Sequence, residues 1–336
     1  MKIGLSYDLK ERVPRMQDSP DDCLEEYDSL ETIEAIAEAI EAHCQSSVVR
    51  LGGGKDFLTN ILREKVDLVF NIAEGLGNYR GREAQVPSVL EMLNVPYTGS
   101  DPLCLAICLD KPLAKSLVAL AGIATPGWQV ITSMSQLRET DWRVFPIPAF
   151  IKPAHEGSSK GVRLTSRAKS HQQILEEAAR LLEHYRQPVL VEEFISGDEV
   201  TVGLVGNSPT QVVWIMRILP KRKGDPFVYS LEVKRYWESL VDYECPAQFE
   251  ASILKRITDS SLTAFKVLGC RDLARIDFRV GPNGIPYFLE MNPLPGLNPR
   301  SGDLPIMAGK MGWTHETLVS AVLDAALHRY QQCILR

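Results

Sequence analysis

The chain has 336 residues, of which 45% are hydrophobic and 24% are charged, a composition typical of globular domains rather than of disordered segments. Its formal net charge is -6, so it offers no large basic surface for nucleic acid. The N-terminal stretch carries an acidic residue, Asp8, and lacks a long apolar run, which predicts neither a signal peptide nor a membrane span. The 7 cysteines are an odd number without a Cys-x-x-Cys pair, and we expect reduced thiols in a cytoplasmic protein.

Over the first hundred residues, short apolar runs alternate with segments of helical periodicity, a pattern typical of βαβ units. Asp28 and Glu31 have the spacing of a capping box at the start of a helix predicted over residues 29–43. The predicted elements of this part are, in chain order, a strand over 2–7, the helix over 29–43, a strand over 47–51, a helix over 57–64 and a strand over 66–70. They predict a doubly wound α/β lobe over residues 1–102.

The second part of the chain, residues 103–195, contains a loop rich in glycine and serine, His155-Glu-Gly-Ser-Ser-Lys-Gly161. Glycines let backbone amides approach phosphate oxygens, serine hydroxyls add donors, and Lys152 and Lys160 supply positive charge. The loop therefore indicates a phosphate site, with an ordinary turn between two strands as the alternative. The predicted elements here are a helix over 103–121, strands over 128–131, 148–152 and 162–165, a helix over 171–185 and a strand over 188–195.

Two cysteines, Cys104 and Cys108, are spaced to lie on one face of the helix predicted over residues 103–121. Their neighbours in the chain are apolar. We therefore interpret the two thiols as small buried apolar groups rather than as a metal or redox site.

In residues 196–336, a pattern of antiparallel strands replaces the βαβ pattern. The predicted elements are strands over 199–205 and 211–218, a helix over 248–268, a hairpin that turns at 281–284, and a helix over 314–330. Together they predict an α+β lobe. The charged loop over residues 221–224 is interpreted as solvated surface rather than as a nucleic-acid patch.

The predicted hairpin carries a polar face. If the turn is centred on Pro282 and Asn283, Arg275 faces Glu290 and Asp277 faces Phe288. Because side chains alternate between the two faces of a strand, the residues of the hairpin divide into a polar face and a buried face. The polar face contains Arg275, Asp277, Glu290 and Asn292, and the buried face contains Ile276, Phe278, Val280, Ile285, Tyr287, Leu289 and Met291.

Oxygen ligands without histidine or cysteine favour magnesium, which usually keeps nucleotide phosphates among its ligands. The polar face of the hairpin therefore indicates phosphoryl chemistry. The alternative is a solvated hairpin on which Arg275 and Glu290 form an ordinary ion pair.

Taken in chain order, these features resemble the ATP-grasp superfamily and, more narrowly, the D-alanine:D-alanine ligases. The distinctive motifs are Lys-Pro-x-x-Glu-Gly-Ser-Ser from Lys152 and Glu-x-Asn-x-x-Pro-Gly from Glu290, and the resemblance runs from about Val95 to Leu323. It implies an ATP-grasp fold, α/β plus α+β. An N-terminal Rossmann-like lobe over 1–102 would be followed by two lobes, 103–195 and 196–336, that clamp ATP.

The resemblance also implies roles for individual residues. ATP would be bound by Lys111 and Lys152 at the phosphates, Glu192, Glu193, Phe194 and Ile195 at the adenine and Glu199 at the ribose, with Ser159, Lys234 and Arg235 nearby. Two Mg2+ ions, or Mn2+, would be held by Asp277, Glu290 and Asn292. A tetrahedral intermediate would be stabilised by Arg275 and the Gly296 amide. The loop that covers the phosphates would bring Ser158 to Tyr236, with Gly157 and Gly161 as hinges, and Ser301 would meet the substrate carboxylate.

Departures from the family pattern concern the amino-acid substrates. The family's N-terminal signature with its substrate-binding glutamate is missing, and Glu26 is a candidate replacement. Glu74 stands where a histidine is expected, and Arg82 adds a base. Arg300, just before Ser301, would favour a substrate carboxylate. The family's Lys-Tyr pair reads Lys234-Arg235-Tyr236, which leaves open the cation that contacts phosphate.

The leading hypothesis is an ATP-dependent carboxylate-amine ligase that joins amino acids through an acyl phosphate, with D-alanine as the default substrate, as in peptidoglycan biosynthesis. One alternative is a ligase for another amino acid, a peptide or a carrier-linked acceptor in specialised metabolism. Another is a non-catalytic ATP-binding scaffold. The expected partners are small-molecule amino acids rather than nucleic acid or membrane, and the resemblance is compatible with a homodimer.

Overall fold

The computed structural model describes residues 1–15, 19–222 and 227–334, and its first part is a βαβ arrangement as predicted. The parallel sheet has the strand order β2-β1-β3. Its elements are β1 (Ile3–Ser6), α1 (Leu30–Cys44), β2 (Val48–Gly52), α2 (Gly54–Arg63), β3 (Leu68–Asn71) and α3 (Gln85–Met92). The predicted capping box was wrong: Ser29 caps α1, because its hydroxyl accepts a hydrogen bond from the Thr32 amide.

The second part contains a four-stranded sheet whose paired strands are all antiparallel, in the order β4-β7-β5-β6. Its elements are β4 (Trp128–Ile131), α6 (Met134–Glu139), β5 (Ala149–Pro153), β6 (Arg167–Ala168), α7 (His171–Tyr185) and β7 (Val189–Glu193), preceded by α4 (Pro102–Leu109) and α5 (Lys111–Leu120). The strand predicted over 162–165 was wrong, since Leu164–Ser166 is a 3-10 turn.

The single helix predicted over residues 103–121 is two helices in the structure, α4 and α5. They separate at Asp110, whose backbone is not helical and whose side chain accepts a hydrogen bond from the Leu113 amide. Pro112 is the second residue of α5. Proline has no N–H and clashes with the preceding turn, so a helix cannot continue smoothly through it.

A five-stranded antiparallel sheet dominates the third part, with the order β10-β9-β8-β11-β12. Its strands are β8 (Asp198–Val205), β9 (Gln211–Pro220), β10 (Val241–Glu244), β11 (Leu273–Val280) and β12 (Pro286–Asn292). The helices are α8 (Leu231–Arg235), α9 (Trp237–Leu240), α10 (Ala251–Val267), α11 (Asp303–Lys310) and α12 (His315–Ile334). Of the predicted loop 221–224, Lys223 and Gly224 lie outside the described residues.

Two large cores hold the sheets together. One joins the first sheet to the five-stranded sheet through α1, α11 and α12, with Ile36 and Val322 among its buried members. The other packs α4, α5 and α10 against β8, β11 and β12. Hence residues 103–120, which the sequence analysis assigned to the second lobe, pack against the sheet of the third part. No helix within the described ranges has the length and apolar character needed to cross a bilayer.

The hairpin of β11 and β12 keeps its predicted polar face but not its predicted register. Arg275 pairs with Asn292 and Asp277 pairs with Glu290, and the register shifts between Asp277 and Phe278. Leu289 is the extra residue of this β-bulge. A bulge reverses the alternation of side chains beyond it, so Leu289 lines a cavity while Phe288 is buried in the core.

Candidate active site

A cavity lies between the four-stranded and five-stranded sheets. Lys152 on β5 and residues 192–195 at the end of β7 form one wall, and Thr201 on β8 and Asp277 on β11 belong to the other. Most of the residues predicted to bind the nucleotide line this cavity, namely Lys111, Lys152, Ser159, Glu192, Glu193, Phe194, Ile195, Glu199 and Lys234. We call it the nucleotide cavity. Arg235 does not line it, because its guanidinium turns to Glu25, 2.6 Å away.

The buried carboxylate of Glu192 lies between two lysines. Lys115 Nζ is 2.6 Å from its Oε1, and Lys152 Nζ is 2.8 Å from its Oε2. Burial by itself raises the pKa of Glu192, but the two lysines outweigh burial and the pKa lies below its ordinary value. The resemblance placed Glu192 beside the adenine, whereas its carboxylate holds Lys152, the residue expected to contact phosphate.

Arg279 is a functional candidate that the sequence analysis missed. Its guanidinium donates to Glu199 Oε2 at 2.7 Å and to the Phe227 carbonyl at 2.6 Å, and it lies over the Phe194 ring at 4.7 Å. It therefore orients Glu199, the residue expected at the ribose, and one aromatic wall of the cavity. The alternation of side chains along β11 could have found it, because position 279 continues the face of Arg275 and Asp277.

Asp277 and Glu290, opposite each other on β11 and β12, are the centre of the polar face. Asp277 accepts hydrogen bonds from the Thr201 hydroxyl at 2.5 Å, the Arg275 guanidinium at 2.9 Å and the Asn292 amide at 3.2 Å. A half-turn of that amide would bring its oxygen beside the Asp277 carboxylate. The set of two carboxylates and one amide oxygen fits a hard cation such as Mg2+.

The charges around Glu290 keep it ionised. Burial by itself raises the pKa of Glu290, but Lys111, Lys152 and Arg275 hold it well below its ordinary value. Lys111 Nζ is 3.3 Å from the Glu290 carboxylate. Burial has the larger effect at Asp277, whose pKa is raised although Arg275 opposes the shift.

A second cavity opens beside the nucleotide cavity, and we call it the acceptor cavity. The predicted site residues that line it are Glu26, Glu74, Lys111, Ser158, Lys234, Arg235, Arg275, Glu290, Asn292, Gly296 and Ser301. Some residues line both cavities: Lys111, Glu156, Tyr229, Lys234, Glu290 and Asp303. The two cavities therefore meet at the cationic and acidic groups expected to handle phosphate.

Arg82 lies behind the wall of the acceptor cavity rather than on it. Its guanidinium donates to both carboxylate oxygens of Glu26, at 3.1 and 2.8 Å, and to the His155 carbonyl at 2.9 Å. Lys160 adds a second cation 2.8 Å from Glu26, and Glu156 contacts both Lys160 and Arg82. The expectation that Arg82 meets substrate directly is wrong for this structure, because Arg82 is 2% exposed and fully engaged with protein groups.

The acceptor cavity also contains acidic groups with raised pKa values. Glu83 is 8% exposed, and no side-chain hydrogen bond or ion pair is found for its carboxylate within the described ranges. Burial raises the pKa of Glu83 to about 7, with Glu26 adding to the shift and Arg82 opposing it. Burial likewise raises the pKa of Glu74, with further increases from Glu83, Glu26 and Asp28. The cavity is thus suited to a cationic group.

The loop rich in glycine and serine is bonded to the N-terminal part of the chain. Ser158, Ser159 and Gly161 have positive φ angles of 49°, 57° and 78°, which lets the chain turn sharply over the cavities. The Gly161 amide donates to Asp22 at 2.9 Å, and Lys160 pairs with Glu26. The loop therefore covers the junction of the two cavities in this structure.

Two predicted site residues lie at the surface. Tyr236 is 65% exposed and lines neither cavity, because it stands at the bend between α8 and α9. Within the described residues, no hydrogen bond joins Tyr236 to Ser158. The Arg300 side chain is 82% exposed and pairs with Glu31 at 2.9 Å. The turn that Asn298 caps directs Arg300 outward rather than into the acceptor cavity.

A nucleotide cavity between two antiparallel sheets, together with an acidic face on the last hairpin and two lysines opposite it, defines the ATP-grasp class. The comparisons with known proteins agree. The family model described as D-ala D-ala ligase C-terminus matches residues 117–324. The D-alanine--D-alanine ligase of Aquifex aeolicus (strain VF5) is 36% identical over 295 residues, which cover 88% of this chain and 94% of that protein. The uncharacterized protein y4sG of Sinorhizobium fredii is 32% identical, with 88% of each chain covered.

Solved structures show the same fold. The D-alanine--D-alanine ligase of Bacillus anthracis complexed with ATP superimposes with a TM-score of 0.74 at 23% identity, over 99% of both chains. The VanG D-Ala:D-Ser ligase of Enterococcus faecalis gives a TM-score of 0.72 at 23% identity, over 97% of this chain and 99% of that chain. The chain belongs to the D-alanine--D-alanine ligase family, which confirms the predicted ATP-grasp fold and the prediction of an ATP-dependent ligase for amino acids.

Proposed function

We propose that the protein joins D-alanine to a second amino acid through an acyl phosphate, using ATP and Mg2+. The observation that carries this proposal is the junction of the two cavities. Lys111, Lys234 and Glu290 line both the nucleotide cavity and the acceptor cavity, so a phosphoryl group on a nucleotide would stand beside a carboxylate in the acceptor cavity. The Aquifex aeolicus relative supports D-alanine as the first substrate to be tested.

Magnesium would be held by Asp277, Glu290 and Asn292. When bound, it supplies a Lewis acid that offsets negative charge on phosphate oxygens. Lys111 and Lys152 would add positive charge beside the same phosphates. Glu192 keeps Lys152 at the cavity wall through its 2.8 Å contact, so the lysine charge is positioned before the nucleotide arrives.

Arg275 would stabilise the oxyanion that develops when the amine attacks. Its guanidinium lines the acceptor cavity and is held by Asp277 at 2.9 Å and Asp303 at 3.4 Å. A preorganised donor of this kind stabilises developing charge without reorganisation. The Gly296 amide, which lies on the same cavity, would be the second donor. The loop containing Ser158 would keep water from the reactive acyl phosphate.

A second candidate is a ligase whose acceptor is not D-alanine. The observation that favours it is the acidity of the acceptor cavity. Within the described residues no ion pair is found for Glu74 or Glu83, whereas Glu26 pairs with Arg82 and Lys160. An acceptor with an additional amino group would supply that missing charge. A peptide or carrier-linked acceptor belongs to the same candidate. A non-catalytic scaffold is disfavoured by the family membership.

The test measures phosphate release with ATP and Mg2+ across a panel of D- and L-amino acids, with the mass of each product determined. Turnover with D-alanine and a product of dipeptide mass would support the proposal. Turnover only with other acceptors would mean that the acceptor is not D-alanine, and it would favour the second candidate function. Tight ATP binding without turnover on any member would contradict ligation.

We further propose a cytoplasmic location and a homodimer, which fractionation and light scattering would check.

A further inference from the structure

Three cysteine thiols meet in the core beneath the five-stranded sheet. Cys104 and Cys108 lie one turn apart on α4, and Cys270, 166 residues after Cys104, lies between α10 and β11. All three are buried, and their sulfur atoms lie within 4.8 Å of one another. We propose that Cys104, Cys108 and Cys270 form a site for one thiophilic divalent d10 metal ion, such as Zn2+ or Cd2+.

The sulfur separations fit a single ion. Cys104 Sγ lies 3.6 Å from Cys270 Sγ and 4.0 Å from Cys108 Sγ. Thiolates bound to one zinc ion at about 2.3 Å lie roughly 3.8 to 4.0 Å apart, for tetrahedral and trigonal arrangements respectively. The thiols therefore need only small side-chain movements to become ligands. Three sulfur ligands without histidine or carboxylate select soft ions over magnesium or calcium.

On binding, three thiols would release three protons and the divalent ion would leave a complex of net charge -1. A monovalent ion would leave twice that charge, which is costly in an apolar core.

Cys108 also lines the acceptor cavity, so one of the three cysteines stands at the wall of that cavity. The helix that carries two of the ligands ends at Leu109, next to Asp110 and Lys111. A bound ion would tie this helix to the turn that precedes β11. The inference rests on the thiols alone, so it stands or falls independently of the proposed ligase reaction.

The first test titrates the reduced full-length protein with Cd2+ and follows sulfur-to-metal charge-transfer absorption in the ultraviolet. We expect one ion per chain in the wild type. Cys104→Ser and Cys270→Ser should each weaken binding by more than the roughly 10–100-fold that loss of an outer-shell partner causes. Cys23→Ser and Cys245→Ser, at partly exposed cysteines away from the cluster, are the matched controls and should bind as the wild type does. Equal binding by the cluster variants would overturn the proposal.

The second test needs no variant, so it remains decisive if a substituted core fails to fold. X-ray absorption spectroscopy of the wild-type protein loaded with one equivalent of Zn2+ counts the ligand atoms around the ion. We expect three sulfur ligands at about 2.3 Å. A shell made only of nitrogen and oxygen, or failure of the protein to retain the ion through desalting, would overturn the proposal.

Discussion

The Arg82 guanidinium holds both carboxylate oxygens of Glu26, and both side chains are 2% exposed. Such a pair gains strength from its low-dielectric surroundings, but losing one partner is costly, because the remaining buried charges are then less well compensated. Glu26 comes from the N-terminal segment and Arg82 from the stretch that precedes α3. The pair thereby fixes one acidic wall of the acceptor cavity.

Replacing one partner of this pair should destabilise the protein strongly. For Arg82→Ala we expect a loss of about 3–5 kcal/mol in the free energy of unfolding, the range for a broken buried ion pair. The matched control is Arg300→Ala, which removes a surface pair with Glu31 and should cost about 1 kcal/mol or less. Urea denaturation of both variants measures the difference. Similar losses in the two variants would contradict the prediction that the buried Arg82 pair contributes more to the free energy of unfolding than the surface pair does.

Two arginines on the same face of β11 should affect different kinetic parameters. Arg275→Met removes the proposed oxyanion donor and should lower kcat by about 10²–10³-fold, with little change in the KM for ATP. Arg279→Met frees Glu199, which Arg279 holds at 2.7 Å, and should mainly raise the KM for ATP. Steady-state phosphate release gives both parameters. The reverse pattern would contradict the proposed roles, and thermal unfolding of both variants checks that the sheet is intact.

The buried Glu83 should make stability depend on pH. Burial raises the pKa of Glu83 from 4.5 to about 7, so between these values the folded protein binds more protons than the unfolded chain. Its contribution is full below about pH 4.5 and is lost as the pH rises through 7, with a slope of at most about 1.4 kcal/mol per pH unit. Glu83→Gln should reduce the dependence of the free energy of unfolding on pH. Urea denaturation from pH 5 to 8 is the measurement, and Glu316→Gln, on the first turn of α12, should retain the wild-type slope.

The proposed oxygen ligands, Asp277, Glu290 and Asn292, predict that turnover requires a divalent metal ion. Turnover should vanish without a divalent ion and return with Mg2+ or Mn2+, because both accept carboxylate oxygens. Asp277→Asn should raise the concentration of Mg2+ needed for half-maximal activity. The control is Asp198→Asn, because Asp198 is a carboxylate of the same sheet and pairs with Arg217. This variant should leave the Mg2+ concentration for half-maximal activity unchanged. Full activity of Asp277→Asn at the wild-type Mg2+ concentration would remove this residue from the metal site.

Local patterns determined the order and kind of most elements. The helix α7 and the strand β4 have the bounds that hydrophobic periodicity predicts, 171–185 and 128–131. The motifs around Lys152 and Glu290 likewise indicated the family, because a phosphate loop and a metal-binding strand need particular residues at short spacings. The break between α4 and α5 at Asp110 could also have been predicted, because Pro112 marks it. The apolar residues on both sides of it instead favoured a single helix.

Contacts between distant parts of the chain were decided only by the tertiary structure. The partner of Arg82 is 56 residues away, and the third thiol of the cysteine cluster is 166 residues from the first. Neither separation leaves a periodic signal, because the two groups meet only after several elements have packed. The bulge at Leu289 set the register of the polar face in the same way. Sequence alone thus determined which chemistry is available, whereas packing decided which charges are neutralised, which are left unpaired and which thiols converge.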